Sequence, residues 1–141
     1  MPFQLNDSDP GQAHTAERLR KEHILWLASV RPDGRPHLVP VWFLWEGETI
    51  LIFSKPENQK IRNLRQNPAV TLALDSADDG DDIIVLEGVA ALIDEPDVTT
   101  ILPAYASKYA VPLADMRMTA ESMAGEYSQA IRITITRQAN I

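Results

Sequence analysis

Hydrophobic and polar residues alternate along much of the chain in short blocks that have the length of β-strands. The clearest block is residues 128–137, in which Ile131, Ile133 and Ile135 share one face and polar side chains share the other. A period of two is typical of an antiparallel strand with one buried face. Residues 23–31 instead form a nearly continuous apolar run, which predicts a strand buried on both faces.

Four further blocks predict strands. Residues 31–34 read Arg-Pro-Asp-Gly, a strong turn, because proline presets the second position and glycine permits a positive φ at the fourth. The turn leads into a strand over residues 35–45, where Pro40 implies a bulge or an unpaired edge, since proline has no N–H to donate. The remaining predicted strands cover residues 49–54, 69–75 and 83–94.

The N-terminal segment is polar and contains proline and glycine, so a flexible arm is expected over residues 1–14. Residues 15–22 predict a short helix with Thr15 as its cap. A chain of 141 residues is long enough for one domain with a substantial core and too short for two of ordinary size. We therefore expect a single domain over residues 15–141.

Helical patterns separate the last two predicted strands. Residues 96–110 predict a helix that is capped by Asp94 and bent at Pro103, and residues 113–123 have a weaker pattern of one or two helical turns. Six strands joined mostly by tight turns, with helices inserted between some of them, predict a mainly β fold. The expected architecture is a small six-stranded antiparallel barrel, closed or split.

Residues 53–68, which read FSKPENQKIRNLRQNP, predict a helix that follows the third strand directly. Its start has a hydroxyl cap at Ser54 and a proline near the first turn. Ile61 and Leu64 give the helix one apolar side. Asn67 and Pro68 end it, because proline disfavours a helical conformation in the residue before it.

The same stretch concentrates positive charge in an acidic protein. Lys55, Lys60, Arg62 and Arg65 stand against Glu57 alone, a local balance of +3 in a chain whose net charge is −7. The free N–H groups and the dipole of a helix N-terminus favour an anion, and lysines add point charges. The stretch is therefore a candidate phosphate site; the alternative is an ordinary solvated helix surface.

Composition excludes several classes of protein. The chain has no cysteine, which excludes disulfides, thiolate metal sites and cysteine nucleophiles. No apolar run approaches the roughly 20 residues that span a bilayer, and the N-terminus lacks a secretory signal pattern, so a cytoplasmic location without membrane contact is expected. The net charge of −7 and an aromatic content of 6% argue against nucleic acid as a partner, including an oligonucleotide-binding barrel.

Other motifs give no site. The acidic loop over residues 75–82 matches a calcium loop only in part, because Ala77 and Leu86 occupy positions where oxygen ligands belong. The three histidines share no metal-ligand spacing, so no metal site is predicted. The sequence also lacks G-x-S-x-G and the two common glycine-rich phosphate loops.

Aromatic side chains cluster near the basic helix. Trp42 and Phe43 are expected on opposite faces of the second strand, Trp45 lies two residues on, and Phe53 ends the third strand. One face would then offer an apolar, ring-sized surface beside an anion site. The alternative is barrel core on one face and a dimer interface on the other.

The run GRPHLVPVWFLWEGETILIFSKPENQKIRNLRQNPAVTLAL resembles the core of the pyridoxamine 5′-phosphate oxidase-like, FMN-binding split barrels. It is most similar to the branch of probable coenzyme F-420 (deazaflavin)-dependent reductases. The resemblance covers residues 15–109, and residues 128–137 fit the family's closing strand. It implies a Greek-key split β-barrel that forms a two-fold homodimer, with cofactor sites between the subunits.

The resemblance also implies which residues hold the cofactor. Ser54 and Lys60 would contact its phosphate, with Lys55, Asn58 and Gln59 as neighbouring candidates. The flavin or deazaflavin ring would lie along four residues of the second strand, largely against their backbone: Val39, Pro40, Val41 and Trp42.

Two departures from the family pattern bear on the cofactor. True pyridoxamine phosphate oxidases carry an arginine and a lysine on the second strand, where this chain has Val39 and Leu44. The C-terminal motif that binds the pyridoxal substrate is also not evident, so vitamin B6 oxidation is not expected. The missing cations favour a deazaflavin over FMN, and its long anionic tail would suit Lys55, Arg62 and Arg65.

The resemblance implies a flavoprotein oxidoreductase that transfers hydride between coenzyme F-420, or FMN, and a small organic substrate. No residue stands out as the proton donor, so the catalytic residues are unassigned. Three residues are candidate pocket neighbours: Tyr105, Lys108 and Tyr109. The alternative is a non-enzymatic barrel that stores a flavin- or haem-type ligand, and haem would need an axial imidazole from one of three residues: His14, His23 or His37.

Overall fold

The computed structural model describes residues 3–75, 78–94 and 98–139, and within them the chain forms seven strands in one antiparallel sheet. The strands are β1 (Leu25–Val30), β2 (Pro36–Val41), β3 (Leu44–Trp45), β4 (Thr49–Ser54), β5 (Ala69–Leu74), β6 (Val85–Ile93) and β7 (Gln129–Gln138). The helices are α1 (Pro10–Lys21), α2 (Gln59–Gln66), α3 (Val98–Lys108), α4 (Ala110–Asp115) and α5 (Ala120–Glu126), with one 3-10 turn at Asp78–Gly80.

The sheet has the order β2-β1-β5-β6-β7-β4-β3. Its central strands all send side chains into one core, among them Leu27, Ile52, Leu72, Leu86 and Ile133. Because five strands converge on one cluster, the sheet curls around it. The prediction of a mainly β, antiparallel fold with helices is confirmed, while the predicted count of six strands is one too low.

The extra strand arises because the predicted strand over residues 35–45 is interrupted. Trp42 and Phe43 belong to no strand, and the chain crosses here from β2 at one edge of the sheet to β3 at the other. Phe43 is 0% exposed and packs in the main core. Pro40 lies on β2, which pairs with β1 alone, so the unpaired edge expected from this proline is confirmed.

The prediction for the N-terminus is wrong at the helix boundary. Helix α1 begins at Pro10, inside the segment expected to be a flexible arm, and the Asp9 side chain accepts hydrogen bonds from its first-turn amides. Thr15 is buried within the helix and is not its cap. An aspartate followed by proline is the stronger start signal, because it combines an N-cap carboxylate with a preset φ. Phe3 and Leu5 pack against the main core.

Strand β1 also differs from its prediction. Its burial alternates, with Leu25 and Leu27 buried and Trp26 and Ala28 only half-buried. One face of the strand lies on the core and the other is partly open, so burial on both faces is not observed in this chain.

The predicted helix over residues 53–68 begins later than its capping pattern suggests. Helix α2 starts at Gln59 after the N-cap Asn58, and it ends at Asn67 as predicted. Ser54 is the last residue of β4, where it pairs with Gln129 of β7. Sheet pairing with a strand remote in sequence therefore outcompetes local capping at Ser54.

Helices α3, α4 and α5 cover the other face of β4. Tyr105, Tyr109 and Met123 form a second cluster with Leu51 and Phe53 of that strand. Pro103 lies inside α3. The predicted start of this helix at residue 96 lies outside the described residues, as do the first-turn positions that Asp94 is expected to cap. In the part of the chain that the structure describes, no helix combines the length and hydrophobicity needed to cross a membrane.

Candidate functional site

A cleft of about 370 Å³ lies between the β2–β3 break, the first turn of α2 and the helices that follow β6. Four of its lining residues are predicted site residues: Pro40, Val41, Trp42 and Lys60. The others are Ile24, Phe53, Tyr105, Met116, Met123 and Tyr127. Among the described residues, this lining combines flat, apolar surface with one cation and includes no carboxylate, so it suits a ring system that carries negative charge at one end.

The wall of the cleft comes from the end of β2 and the break after it. Pro40, Val41 and Trp42 line the cleft in succession, as predicted for residues along a ring. Val39 does not line it; this side chain is half-buried and packs against the main core. Phe53 lines the cleft beside Trp42, whereas Phe43 faces the core, so the predicted apolar surface consists of Trp42 and Phe53.

Lys60 is the cation of the cleft. It is the second residue of α2 and is half-buried, and burial lowers the pKa of its amine. A lysine that is partly desolvated without a compensating charge is better satisfied when an anion binds beside it.

A buried polar network places Lys60 against the sheet. On α2, Gln59 donates to Asn63 Oδ1 at 2.7 Å, and Asn63 Nδ2 donates to Ser29 Oγ of β1 at 3.0 Å. Ser29 pairs across the strands with His37. Lys60 lies one turn before Asn63 on the same side of the helix, so this network holds the turn of α2 that carries Lys60 against β1.

His37 lies on β2, where it pairs with Ser29 of β1. Burial, then the charges of Arg31 and Lys60, lower the pKa of its imidazole, which favours the neutral form. His37 Nδ1 is buried and has no hydrogen-bond partner among the described residues. Sequence reasoning did not single out Arg31, whose charge acts on His37 together with that of Lys60 once α2 packs on β1.

The other predicted phosphate contacts lie outside the lining of the cleft. Ser54 is 0% exposed, and its hydroxyl donates to Lys55 O at 2.9 Å. Lys55 Nζ lies 3.4 Å from Glu126 Oε1 and 5.4 Å from the centroid of the Tyr127 ring, so it borders the opposite side of the cleft.

Asn58 caps α2 without a side-chain hydrogen bond. Gln59 also accepts a hydrogen bond from Arg62. Their part in cofactor binding stays a prediction.

Two tyrosines of the α3–α4 region support the aromatic wall. The Tyr109 ring stacks on Trp42 with centroids 4.4 Å apart and planes 4° apart, and Tyr105 lies 4.8 Å from Tyr109. Phe53 meets Tyr105 edge-on at 5.4 Å. Burial raises the pKa of both tyrosine hydroxyls, which therefore stay protonated at neutral pH. Of the candidate pocket neighbours, Tyr105 lines the cleft and Tyr109 lies behind Trp42.

The chain belongs to the family described as pyridoxamine 5′-phosphate oxidase, whose model matches residues 12–140. No curated protein sequence matches the chain significantly.

Solved structures share its fold. A conserved hypothetical protein, Rv2991 from Mycobacterium tuberculosis, is 28% identical, with 89% of this chain and 81% of that chain covered and a TM-score of 0.68. A structure described as an F-420 reductase is 24% identical, with coverages of 87% and 94% and a TM-score of 0.68. HutZ, the haem-storage protein of Vibrio cholerae, is 15% identical, with coverages of 96% and 92% and a TM-score of 0.68. At these identities, the last two show the shared fold alone.

Proposed function

We propose that the protein is an oxidoreductase that binds a flavin-type cofactor, coenzyme F-420 or FMN, in the cleft and exchanges hydride with a small organic substrate. The observation that carries the proposal is the position of Lys60 in the same cleft as the Pro40–Val41–Trp42 wall. A flavin-type cofactor has the matching chemistry, a flat ring joined to an anionic group.

The residues of the cleft suit the ring. The wall offers backbone groups and the indole face of Trp42, while Met116 and Met123 supply adaptable apolar contacts on the helical side. The bound cofactor supplies the hydride chemistry, and the chain contributes binding, orientation and exclusion of water.

The residues around Lys60 suit the phosphate. Arg31 adds positive charge on the β1–β2 side, because its charge and that of Lys60 both act on His37. True pyridoxamine phosphate oxidases carry two cations at positions that correspond to Val39 and Leu44 of this chain. Here Val39 packs against the core and Leu44 is buried. This difference favours coenzyme F-420 over FMN and argues against vitamin B6 oxidation.

A two-fold homodimer is part of the proposal. The outward face of β1 and β2 is largely apolar, with Leu38 60% exposed and Trp26, Ala28 and Val30 half-buried. This face continues through Pro40 into the cleft, so a second copy seated on it would also border the cofactor.

The alternative of haem storage has less support from the cleft. None of the three histidines lines it: His14 pairs with Asp82 at 2.8 Å, His23 packs on Tyr109, and His37 lies on β2 opposite Ser29. HutZ shares the fold, and its ligand does not carry over to this chain at 15% identity.

The test is a titration of the purified protein with coenzyme F-420 and with FMN, followed by fluorescence, in the wild type and in two variants. Lys60→Ala should weaken binding by about 1.5–3 kcal/mol, the contribution of a charge-assisted phosphate contact. Lys21→Ala is the matched control, because it removes the same charge from an exposed position of α1. Equal affinities in all three proteins would remove Lys60 from the site, and failure of the wild type to bind either cofactor would refute the proposal.

Turnover separates the enzyme from a storage protein. The reduced cofactor that binds more tightly is mixed with a panel of small organic acceptors, and its reoxidation is followed by absorbance. Acceleration by the wild type that is reduced in Lys60→Ala supports hydride transfer. Tight binding without acceleration by any acceptor would favour the storage alternative.

A further inference from the structure

The backbone of Phe43 is held by two side chains near the end of α3. Phe43 lies in the break between β2 and β3, so no neighbouring strand satisfies its polar groups. Its N–H donates to Tyr109 Oη at 2.8 Å, and its carbonyl oxygen accepts from Lys108 Nζ at 2.9 Å. Because unsatisfied backbone groups are costly when buried, these two bonds stabilise the break in one conformation.

Tyr109 also joins the break to the start of β1. Its hydroxyl oxygen lies 2.7 Å from the carbonyl oxygen of His23 and 3.0 Å from that of Phe43. The hydroxyl has one proton to donate, and the shorter distance favours His23. The Tyr109 hydroxyl therefore accepts a hydrogen bond from Phe43 and donates one to His23. These two bonds fix the distance between the break and the segment before β1.

The ring of the same tyrosine sets the plane of Trp42. The two rings are parallel within 4° at 4.4 Å, so Tyr109 covers one face of an indole that also lines the cleft. Backbone and side chain of the wall are thus both held by a residue that does not line the cleft.

Lys108 contacts both the backbone and the ring of Phe43. Its ammonium lies 3.6 Å from the centroid of the Phe43 ring, and it also donates to Leu19 O of α1 at 3.4 Å. The residue therefore connects α3, the break and the last turn of α1.

We propose that Tyr109 and Lys108 are positioning residues that hold Trp42 at a fixed depth in the cleft and so determine how tightly a flavin-type ring is bound. This inference rests on the proposed function for its ligand and on hydrogen bonds and stacking for its geometry. A general stabilising role would affect recognition of the ring and of the phosphate alike. The positioning role instead predicts that loss of Tyr109 weakens recognition of the ring and leaves recognition of the phosphate by Lys60 intact.

The first arm of the test needs no cofactor. The near-ultraviolet circular dichroism of Trp42 is obtained as the difference between wild type and Trp42→Phe, and the same difference is measured in a Tyr109→Phe background. We expect the Trp42 band to fall by about half or more, because removal of the hydroxyl frees the break. An unchanged band in a folded Tyr109→Phe protein would overturn the proposal.

The second arm separates ring from phosphate. Dissociation constants are measured for FMN and F-420 and for their phosphate-free chromophores. Tyr109→Phe should raise all of them by a similar factor of about tenfold, the equivalent of one lost hydrogen bond, whereas Lys60→Ala should affect only the phosphate-bearing ligands. A Tyr109→Phe effect confined to phosphate-bearing ligands, or none at all, would contradict the proposal.

Lys108→Met provides a second variant if Tyr109→Phe does not fold. It keeps an apolar stem and removes the ammonium, and Lys21→Met, at an exposed position of α1, is its control. The Trp42 band should weaken in Lys108→Met and remain in Lys21→Met; equal bands in both would count against the proposal. If no flavin-type ligand binds the wild type, the proposed function fails, and the dichroism arm still decides the positioning role.

Discussion

Asn63 of α2 donates a hydrogen bond to Ser29 of β1 at 3.0 Å, with both side chains buried. This contact is the polar link between the basic helix and the sheet, and it lies one helical turn from Lys60. A buried residue outside the lining of the cleft thus links the helix that carries Lys60 to the sheet.

Replacing Asn63 with leucine should destabilise the protein. The substitution leaves the Ser29 hydroxyl and the Gln59 amide without their buried partner, which costs about 1–3 kcal/mol. Chemical denaturation measures the change in the free energy of unfolding. Gln66→Leu, at an exposed position of the same helix, should shift it by less than about 0.5 kcal/mol; similar shifts in both variants would refute the structural role of Asn63.

Two glycine-to-alanine substitutions should have opposite effects. A Cβ at Gly88 would lie 2.7 Å from the backbone oxygen of Thr134, at the irregularity where β6 pairs with β7. Gly88→Ala should therefore cost about 1–3 kcal/mol of stability. Gly125 lies in α5 with open space around its Cβ position, so Gly125→Ala should stabilise by about 0.4–1 kcal/mol. Thermal denaturation of both variants checks the signs, and a stable Gly88→Ala protein would contradict the close approach.

The stability of the protein should rise with pH through the titration of Lys108. Burial lowers the pKa of its amine to about 8, against the ordinary value of 10.5, while nearby Glu22 opposes the shift. Between these values the folded protein has released a proton that the unfolded chain still holds, so raising the pH favours the folded state. The cost of burying the charge is fully present below pH 8 and is relieved as the pH rises through the window.

The comparison that isolates this effect is wild type against Lys108→Met. The difference in the free energy of unfolding between the two should change in favour of the wild type from about pH 8 to pH 10, measured by denaturation at closely spaced pH values. A difference that is flat across this range would show that Lys108 retains an ordinary pKa.

Ser54 and Lys60 should differ in their effects on cofactor binding. Ser54 is fully buried and donates to a backbone carbonyl, while Lys60 lines the cleft. We expect Ser54→Ala to change the dissociation constant less than about threefold, and Lys60→Ala to raise it more than tenfold. Isothermal titration with the tighter cofactor checks both, and a loss of affinity in Ser54→Ala that matches Lys60→Ala would restore the serine as a phosphate contact.

Local patterns predicted most of the sheet. Strand β4 has the predicted bounds, the isoleucines of β7 are buried as expected, and Gly34 adopts the positive φ that the turn required. In each case the deciding information, a period of two or a turn residue, lies within a few positions along the sequence.

The predicted start of α1 is wrong although its signal, Asp9 followed by Pro10, is local; the errors at Phe43 and Ser54 fall where distant residues decide the outcome. The break at Phe43 depends on Tyr109, 66 positions away, and the register of Ser54 depends on Gln129. The hydrogen bond from Asn63 to Ser29 likewise forms only once α2 packs on β1. No window along the sequence contains both members of these pairs, so they could not be predicted from local pattern.

The crossing of the chain at Trp42 and Phe43 has a consequence for folding. Strands β2 and β3 are consecutive in sequence and occupy opposite edges of the sheet, and the backbone between them is hydrogen-bonded to Tyr109 and Lys108, near the end of α3. Hairpins such as β1–β2 and β3–β4 can form soon after they are synthesised, whereas contacts between residues far apart in sequence form late. The wall of the cleft, which needs Tyr109, and the pairing of β4 with β7, which joins Ser54 to Gln129, both depend on residues far apart in sequence, so the ability to bind a ligand is expected only with the late completion of the sheet and not with the first hairpins.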